Sequence, residues 1–311
     1  MSDHLESSPR GDHDGPGVVM SERARLTNLA YRLLGSLTEA EDAVQETYAR
    51  WHAMTREQQQ AIATPAAWLT KVASRICLDM LGSARVRRER YVGEWLPEPL
   101  PEPAEWVGER RDPSTVDPAD RITLDESINM ALLVVLDAMT PAERVAFILH
   151  DVFRYSFSEV AEIVGRTPAA CRQLASTARR RTREARAPAA ATARQARIVR
   201  DFKRAWESKD INALIGLLDP DATAVADGGG LASAYPHPIH GGERVARAYL
   251  AFASAAPVRT ILERTVNGLP GLVAQLDGVT ITVWAFEIEG ERIKRIWAMR
   301  NPDKLHPWRT A

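Results

Sequence analysis

Residues 158–181 read SEVAEIVGRTPAACRQLASTARRR, and this stretch decides the central part of the fold. Val160, Ala161 and Val164 recur at helical spacing and give a first helix one apolar face. Gly165 permits a sharp turn, and Thr167 followed by Pro168 marks the start of a second helix. In that second helix Cys171, Leu174, Ala175 and Ala178 share a core-facing stripe, which turns Ala169, Arg172, Gln173, Ser176, Thr177 and Arg180 outward. The outline is a helix-turn-helix. Its outward set suits reading of a DNA major groove, since Arg pairs bidentately with guanine, Gln pairs with adenine, and short side chains let the backbone approach. Arg179, Arg180, Arg181 and Arg183 would then neutralise phosphates, whatever the sequence of the duplex. A helical hairpin with a solvated basic face explains the same residues without DNA.

Working upstream, apolar residues hold a helical period from Arg121 to Met139, and Thr140, Pro141 and Glu143 form a capping box that opens the next helix. Together with the helix-turn-helix these helices make a module at 121–187. Further upstream, Leu26, Leu29, Ala30, Leu33 and Leu34 and then Ala40, Val44, Tyr48 and Trp51 predict two helices joined near Gly35. Thr64-Pro65 starts another, carried by Trp68, Leu69, Val72, Ile76 and Met80 and expected to end at Gly82. These form a first all-helical module at 19–91. Residues 1–18 lack periodicity and are expected to be a disordered tail. Between the modules, residues 92–120 form an acidic, Pro-rich linker: residues 93–120 hold eight acids, two arginines and six prolines, too many prolines for a regular element.

Downstream, an alanine-rich junction at 187–193 leads to a third domain at 194–311. A helix from Arg194 to Ser208 precedes β-branched runs at 222–226, 258–266, 272–276, 279–288 and 292–300. Asn267-Gly268, Asp277-Gly278 and Glu289-Gly290 separate the last four, as in an antiparallel meander. The domain reads as α+β, helices first and then a curved sheet.

A chain of 311 residues with 45% hydrophobic and 26% charged residues is long enough for two or three soluble domains. No apolar run approaches a membrane span and the N-terminus lacks a signal-peptide pattern, so a cytoplasmic protein is expected, with no membrane partner. Cys77 and Cys171 fall in different modules and are expected to be buried thiols. The formal net charge of -1 conceals strong segregation. Arg85, Arg87, Arg88 and Arg90 crowd one stretch and the arginines of 166–186 another, whereas Glu39, Glu41, Asp42 and Glu46 share an early helix face. One acidic and two basic surfaces suit a protein that grips a basic protein partner and touches DNA twice.

With these residues in view, the chain resembles the extracytoplasmic-function sigma factors of bacterial RNA polymerase. LLGSLTEAEDAVQETYARW at 33–51 is similar to the family's segment that binds the polymerase clamp, and the resemblance assigns that contact to Asp42, Gln45 and Glu46. AAWLTKVASRICLDMLGSARVRRER at 66–90 resembles the segment that melts and reads the minus-ten element, which implies DNA contacts by Trp68, Arg75, Asp79, Arg85, Arg87 and Arg88. Residues 139–181 resemble the minus-thirty-five reader, adding Arg172, Gln173, Ser176, Thr177 and Arg180. WLPEP (Trp95, Leu96, Pro97, Glu98, Pro99), DGGG (Asp227, Gly228, Gly229, Gly230) and NPDKL (Asn301, Pro302, Asp303, Lys304, Leu305) are similar to signatures of the subgroup that carries a fused C-terminal SnoaL-like domain. That resemblance implies a multidomain fold: two all-α sigma modules, the second a helix-turn-helix, followed by an α+β SnoaL-like or ketosteroid-isomerase-like cone. It also implies an RNA polymerase core enzyme and promoter DNA as partners, and modulation by the third domain.

SnoaL-like cones include enzymes, so Asp227, His237 and His240 are the residues from which a general base would be recruited. Pro236 and Pro238 bracket His237 as in a surface loop, and three glycines after Asp227 are equally explained by a turn. No P-loop, dinucleotide fingerprint, zinc spacing or nucleophile elbow occurs. The expectation is a binding protein and not an enzyme, without cofactor or metal. A ligand-sensing third domain and a regulator fused to an isomerase- or cyclase-like domain stay open as alternatives.

Overall fold

The computed structural model describes residues 22–88, 91–101, 128–183, 192–255 and 260–308, with the side chains of 84–88, 192 and 253–255 excepted. The expected tail and most of the linker, together with Arg90 and the side chains of Arg85, Arg87 and Arg88, lie outside the described residues.

The first module contains α1 (Arg23–Leu34), α2 (Leu37–His52), α3 (Arg56–Gln60) and α4 (Pro65–Arg88). Gly35 ends α1 in the left-handed region at φ 74, and Ser36 caps α2 by accepting from the Glu39 amide. Gly82 does not end α4, which continues to Arg88; one glycine in a helix costs ~1 kcal/mol, too little to break one held by packing. The short α3, with its own Thr55 capping box, was not foreseen.

In the second module come α5 (Met130–Asp137), α6 (Pro141–Phe147), a π-helical turn (Ile148–Val152), α7 (Phe157–Val164) and α8 (Pro168–Thr182). The helix predicted from Arg121 begins, within the described residues, only at Met130, where the Asn129 side chain caps it. The α6 capping box, the Gly165 turn at φ 69 and the Thr167 cap stand where the spacing put them. Cys171, Ala175 and Ala178 are buried as expected, while Leu174 and Val164 are half-buried. Both cysteines are free and buried, and burial pushes the Cys77 thiol up to about 12.

The third domain opens with α9 (Thr192–Glu207) and α10 (Ile211–Leu217). Then follow β1 (Leu218–Asp227), β2 (Ile239–His240), α11 (Gly242–Ala255), β3 (Thr260–Val266), β4 (Leu269–Leu276), β5 (Val279–Glu289) and β6 (Arg292–Met299). Sheet order is β2-β1-β6-β5-β4-β3. Strands β3 to β6 form the antiparallel meander, but β1 joins β6 in parallel, which the turn signals did not reveal. Because α11 separates β1 from β3, the first strand returns to the far edge of the meander. Asn267 and Asp277 take positive φ ahead of Gly268 and Gly278, as tight hairpins require.

Both faces of the sheet are apolar, and strand alternation sorts them. Leu272, Ala274, Trp284, Phe286, Ile296 and Ala298 join the helices α9 to α11 in one core, where Trp206 meets Trp284 edge-to-face at 5.0 Å. The alternate residues Val273, Val283, Ala285, Trp297 and Met299 face outward from that core and are covered by Leu96, Trp308 and the helix α5. Helix α5 reads MALLVVLD, apolar all round. It needs to be, since Met130 and Ala131 pack on the sheet while Leu132, Leu133 and Leu136 pack among the helices of the first two modules. Those two modules share a single apolar cluster instead of holding separate cores.

Candidate functional site: two nucleic-acid faces and a buried clasp

On α2 the 3.6-residue period buries Ala40, Ala43, Val44 and Thr47 and leaves Asp42, Gln45 and Glu46 exposed side by side. Glu46 pairs with Arg50 one turn on, at 2.8 Å. On α8, Ala169, Arg172, Gln173, Ser176 and Arg180 are exposed and Thr177 is half-buried. Arg172 lies over the Phe157 ring at 5.3 Å, which fixes the start of this face. Arg179 and Arg181 reach Asp151 at 2.5 Å and Glu143 at 3.3 Å.

Helix α4 carries Trp68, Arg75 and Asp79. Trp68 is half-buried and meets Trp51 edge-to-face at 5.3 Å; Arg75 and Asp79 are exposed. Arg75 donates to the Glu162 carbonyl at 2.8 Å, and Lys71, one turn before it, binds the Glu162 carboxylate at 2.6 Å. Lys71 holds the Glu162 carboxyl below its ordinary value. Glu162 belongs to α7, the first helix of the helix-turn-helix, so the two candidate nucleic-acid faces are brought together by their flanks. Lys71 was missed by sequence reasoning, although its i,i+4 spacing to Arg75 put both on one face.

The three motifs WLPEP, DGGG and NPDKL, far apart in sequence, meet in one buried node. The Asp227 side chain is wholly buried at the end of β1. One of its oxygens accepts from the Tyr91 hydroxyl at 2.6 Å, and the other from the Leu96 amide at 2.9 Å and the Lys304 ammonium at 2.8 Å. Lys304 also donates to the Leu96 carbonyl at 2.7 Å and sits 4.1 Å from the Trp95 ring centre and 4.8 Å from that of Tyr91. Asn301 donates to the Tyr91 hydroxyl at 2.8 Å. Burial, and next the hydrogen bond to Asp227, hold the Tyr91 phenol well above its ordinary range. Charge, hydrogen bonds and aromatic faces thus compensate each other out of water, the condition under which a buried ion pair persists.

The glycines of DGGG are dictated by this closeness. A Cβ on Gly228 would strike the Ala232 carbonyl, and one on Gly229, at φ 60, would strike Asn301.

The other end of WLPEP grips the first module. Glu98 accepts from the Leu37 amide at 2.6 Å and the Ser36 hydroxyl at 2.7 Å, a carboxylate at the start of α2. Its own amide donates to the Gly35 carbonyl at 2.8 Å, and its carbonyl accepts from Tyr31 at 2.7 Å. Burial raises the Glu98 carboxyl above its ordinary value, with the hydrogen bonds from Ser36 and Leu37 opposing. Asn267, read from sequence only as a turn residue, donates to Tyr31 at 2.9 Å and accepts from the Leu100 amide at 3.3 Å. Trp308 donates to the Pro99 carbonyl at 2.8 Å. Tyr31, Tyr91, Asn267 and Trp308 lie outside any motif, and nothing in their spacing announced them.

Asp227 therefore does not meet His237 and His240, which are exposed on the loop after DGGG and on β2. A cavity of about 60 Å³ opens instead between β1, β6 and α11, walled by Ala224, Ala226, Tyr249, Phe252, Trp284 and Ala298, with Arg300 at its side. Asp227 does not line it. A wider funnel of about 560 Å³ shares Tyr235, Ile239 and Ala248 with it and carries His237, Arg244 and Arg247. Among the described residues no group of three or more His, Cys, Asp or Glu is placed to hold a metal ion, and no helix is long and apolar enough to cross a membrane.

Comparisons with known proteins agree with this geometry. The Sigma-70 region 2 family model matches residues 18–87 and the Sigma-70 region 4 model residues 129–182. The chain is 35% identical over 290 residues to the probable ECF RNA polymerase sigma factor SigI of Mycobacterium tuberculosis, covering 93% of this chain and 94% of that protein. To the ECF RNA polymerase sigma factor SigJ of the same organism it is 35% identical over 305 residues, covering 91% and 90%. The crystal structure of Mycobacterium tuberculosis SigJ superimposes with a TM-score of 0.69 at 31% identity, over 94% of this chain and 98% of that one. With two sigma modules in order, an α+β SnoaL-like domain behind them and relatives similar along nearly their whole length, this chain belongs to the extracytoplasmic-function family of RNA polymerase sigma factors.

Proposed function

We propose that the chain directs promoter-specific initiation by the core polymerase, and that its third domain controls this by holding the WLPEP segment against the first module. The observation that carries the control is the buried node: Asp227 and Lys304 fix Leu96, and two residues later Glu98 caps α2, the helix that bears Asp42, Gln45 and Glu46. In this reading α2 docks on polymerase. Trp68, Arg75, Asp79, Arg85, Arg87 and Arg88 engage the minus-ten element, and Arg172, Gln173, Ser176, Thr177 and Arg180 the minus-thirty-five element.

Those elements lie about 25 base pairs apart, or ~85 Å at about 3.4 Å per pair. Faces whose flanks share the Lys71–Glu162 pair cannot span that distance. The described arrangement is thus a closed form, and promoter binding requires α7 and α8 to leave α4. In this reading the linker expected at 92–120 joins the two modules, and the clasp holds its first described residues.

The test is transcription in vitro by sigma-free core polymerase supplied with the full chain or with Glu98→Ala. The wild type confers start-site selection, and Glu98→Ala changes the amount of transcript while keeping the start site. Absence of any start-site selection by either protein would end the sigma reading; identical output from both would end the clasp's role in control.

A further inference from the structure

We propose that Phe157 is a positioning residue for promoter reading: its ring holds the Arg172 guanidinium ready for a base and so sets the preference at one position of the minus-thirty-five element. This rests on the reading of Arg172 as a minus-thirty-five contact given above. Helix α8 opens at Thr167 and Pro168, which puts Arg172 in its second turn and on its exposed face. In a helix-turn-helix the N-terminal part of the second helix meets the base edges.

A long, unrestrained arginine is a costly reader, because its rotamer freedom is lost when it settles on a base. Here a platform restrains it beforehand. The Arg172 guanidinium carbon lies 5.3 Å from the Phe157 ring centre. Arg172 forms no ion pair among the described residues, whereas Arg179 and Arg181 of the same helix are held by Asp151 and Glu143. The difference matters chemically. A carboxylate takes up the N–H donors of a guanidinium, while an aromatic ring engages its flat face and leaves the in-plane donors unspent. Those donors form the planar fork that pairs with O6 and N7 of guanine.

The platform is itself fixed, in backbone and in ring. Phe157 is the first residue of α7, where a capping box holds the chain: the Ser156 hydroxyl accepts from the Glu159 amide at 3.3 Å, and the Glu159 carboxylate from the Ser156 amide at 2.7 Å. The His150 ring, from the π-helical turn, stacks on Phe157 with 3.8 Å between ring centres and 24° between planes. His150 is tied in turn, since its Nδ1 lies 2.8 Å from the Tyr155 carbonyl. A carbonyl only accepts, so that nitrogen carries the proton. A phenyl ring restrained in this way makes a fixed seat for a cation.

The test reads base preference position by position. Core polymerase carrying the full chain selects from duplexes randomised upstream of the start site, and the selected sequences are counted. Wild type should favour one base about tenfold at the position where Arg172→Ala loses its preference. Phe157→Leu should cut that preference to about threefold and leave the other positions as they were, and Phe157→Tyr, which keeps the ring, should restore it. In the Arg172→Ala background Phe157→Leu should add nothing at that position. If Phe157→Leu lowers the unfolding midpoint, Phe157→Met, a flexible side chain of similar bulk, supplies the same comparison.

Unchanged preference in both Phe157→Leu and Phe157→Met overturns the proposal. So does an equal loss at every position, which is what a packing role alone produces. Preference that survives Arg172→Ala at every position removes the reading of Arg172 and the proposal with it, whereas a wild-type holoenzyme that selects no sequence ends the sigma reading itself.

Discussion

Two of the polar contact sets, or seams, inside the chain are built from opposite materials. Between α4 and α7 the polar contacts are Lys71 and Arg75 on Glu162, all on the surface. Between WLPEP and the third domain they are Asp227, Lys304, Tyr91 and Asn301, in which the carboxylate is wholly buried. Exposed pairs are screened by salt and are open to competition from phosphate, whereas a compensated buried pair is reached by neither. The difference suits the proposed division of labour, in which the exposed pair gives way to DNA and the buried node holds until something acts on its own residues.

The buried seam gives the largest expected effect. Asp227→Ala leaves the Lys304 ammonium buried without its counter-charge and should cost about 3–5 kcal/mol. Chemical denaturation would show it, and a midpoint within error of wild type would break the contrast between the seams. Lys304→Met, which keeps the stem and removes the charge, should destabilise by a similar amount, because Asp227 is then the unpaired ion.

Next comes polymerase docking. Asp42→Ala with Glu46→Ala should weaken affinity for core polymerase about tenfold, or ~1.4 kcal/mol, without lowering the unfolding midpoint, since both side chains are exposed. A pull-down with unchanged affinity would remove α2 from the docking surface. Glu98→Ala should destabilise by about 1–3 kcal/mol, because the Leu37 amide and Ser36 hydroxyl lose their buried acceptor.

The Glu98 carboxyl also sets a pH dependence. Its folded pKa lies above the ordinary 4.5, so the stability it contributes is complete below that value and is lost as pH rises through the folded one. The stability difference, wild type minus Glu98→Gln, should therefore fall as pH is raised from about 4 towards neutrality. A difference that rises over this window would invert the assignment. The smallest effect belongs to the exposed seam: Glu162→Lys should raise promoter DNA affinity in a salt-dependent way while leaving the folding midpoint almost untouched. Binding isotherms at two ionic strengths would check it.

The elements were legible where local chemistry decides them. Thr140, Gly165 and Thr167 announced helix ends, and Asn267-Gly268 and Asp277-Gly278 announced hairpins; the family resemblance, not local chemistry, pointed to the three motifs that supply Leu96, Glu98, Asp227 and Lys304 to the clasp. What sequence did not show is how those residues meet. Tyr91, Tyr31 and Trp308 act through partners about 30 to 240 positions away in the chain, and local period carries no record of such pairings. The parallel pairing of β1 with β6 was hidden for the same reason. Asp227 was a candidate base because SnoaL-like cones include enzymes, yet in the structure its oxygens are committed to Tyr91, Leu96 and Lys304.

Helix α5, apolar on every side, has a thermodynamic consequence. It is the shared wall of the helical cluster and the outer sheet layer, so displacing the helix-turn-helix must bare hydrocarbon on one flank of α5 or the other. Water meeting that surface carries a heat-capacity increment of about 0.45 cal/K/mol per Å². If the modules part as proposed, engagement of a promoter acquires a temperature signature: the enthalpy of opening climbs with warming, and a calorimeter registers it even where no chemical bond changes.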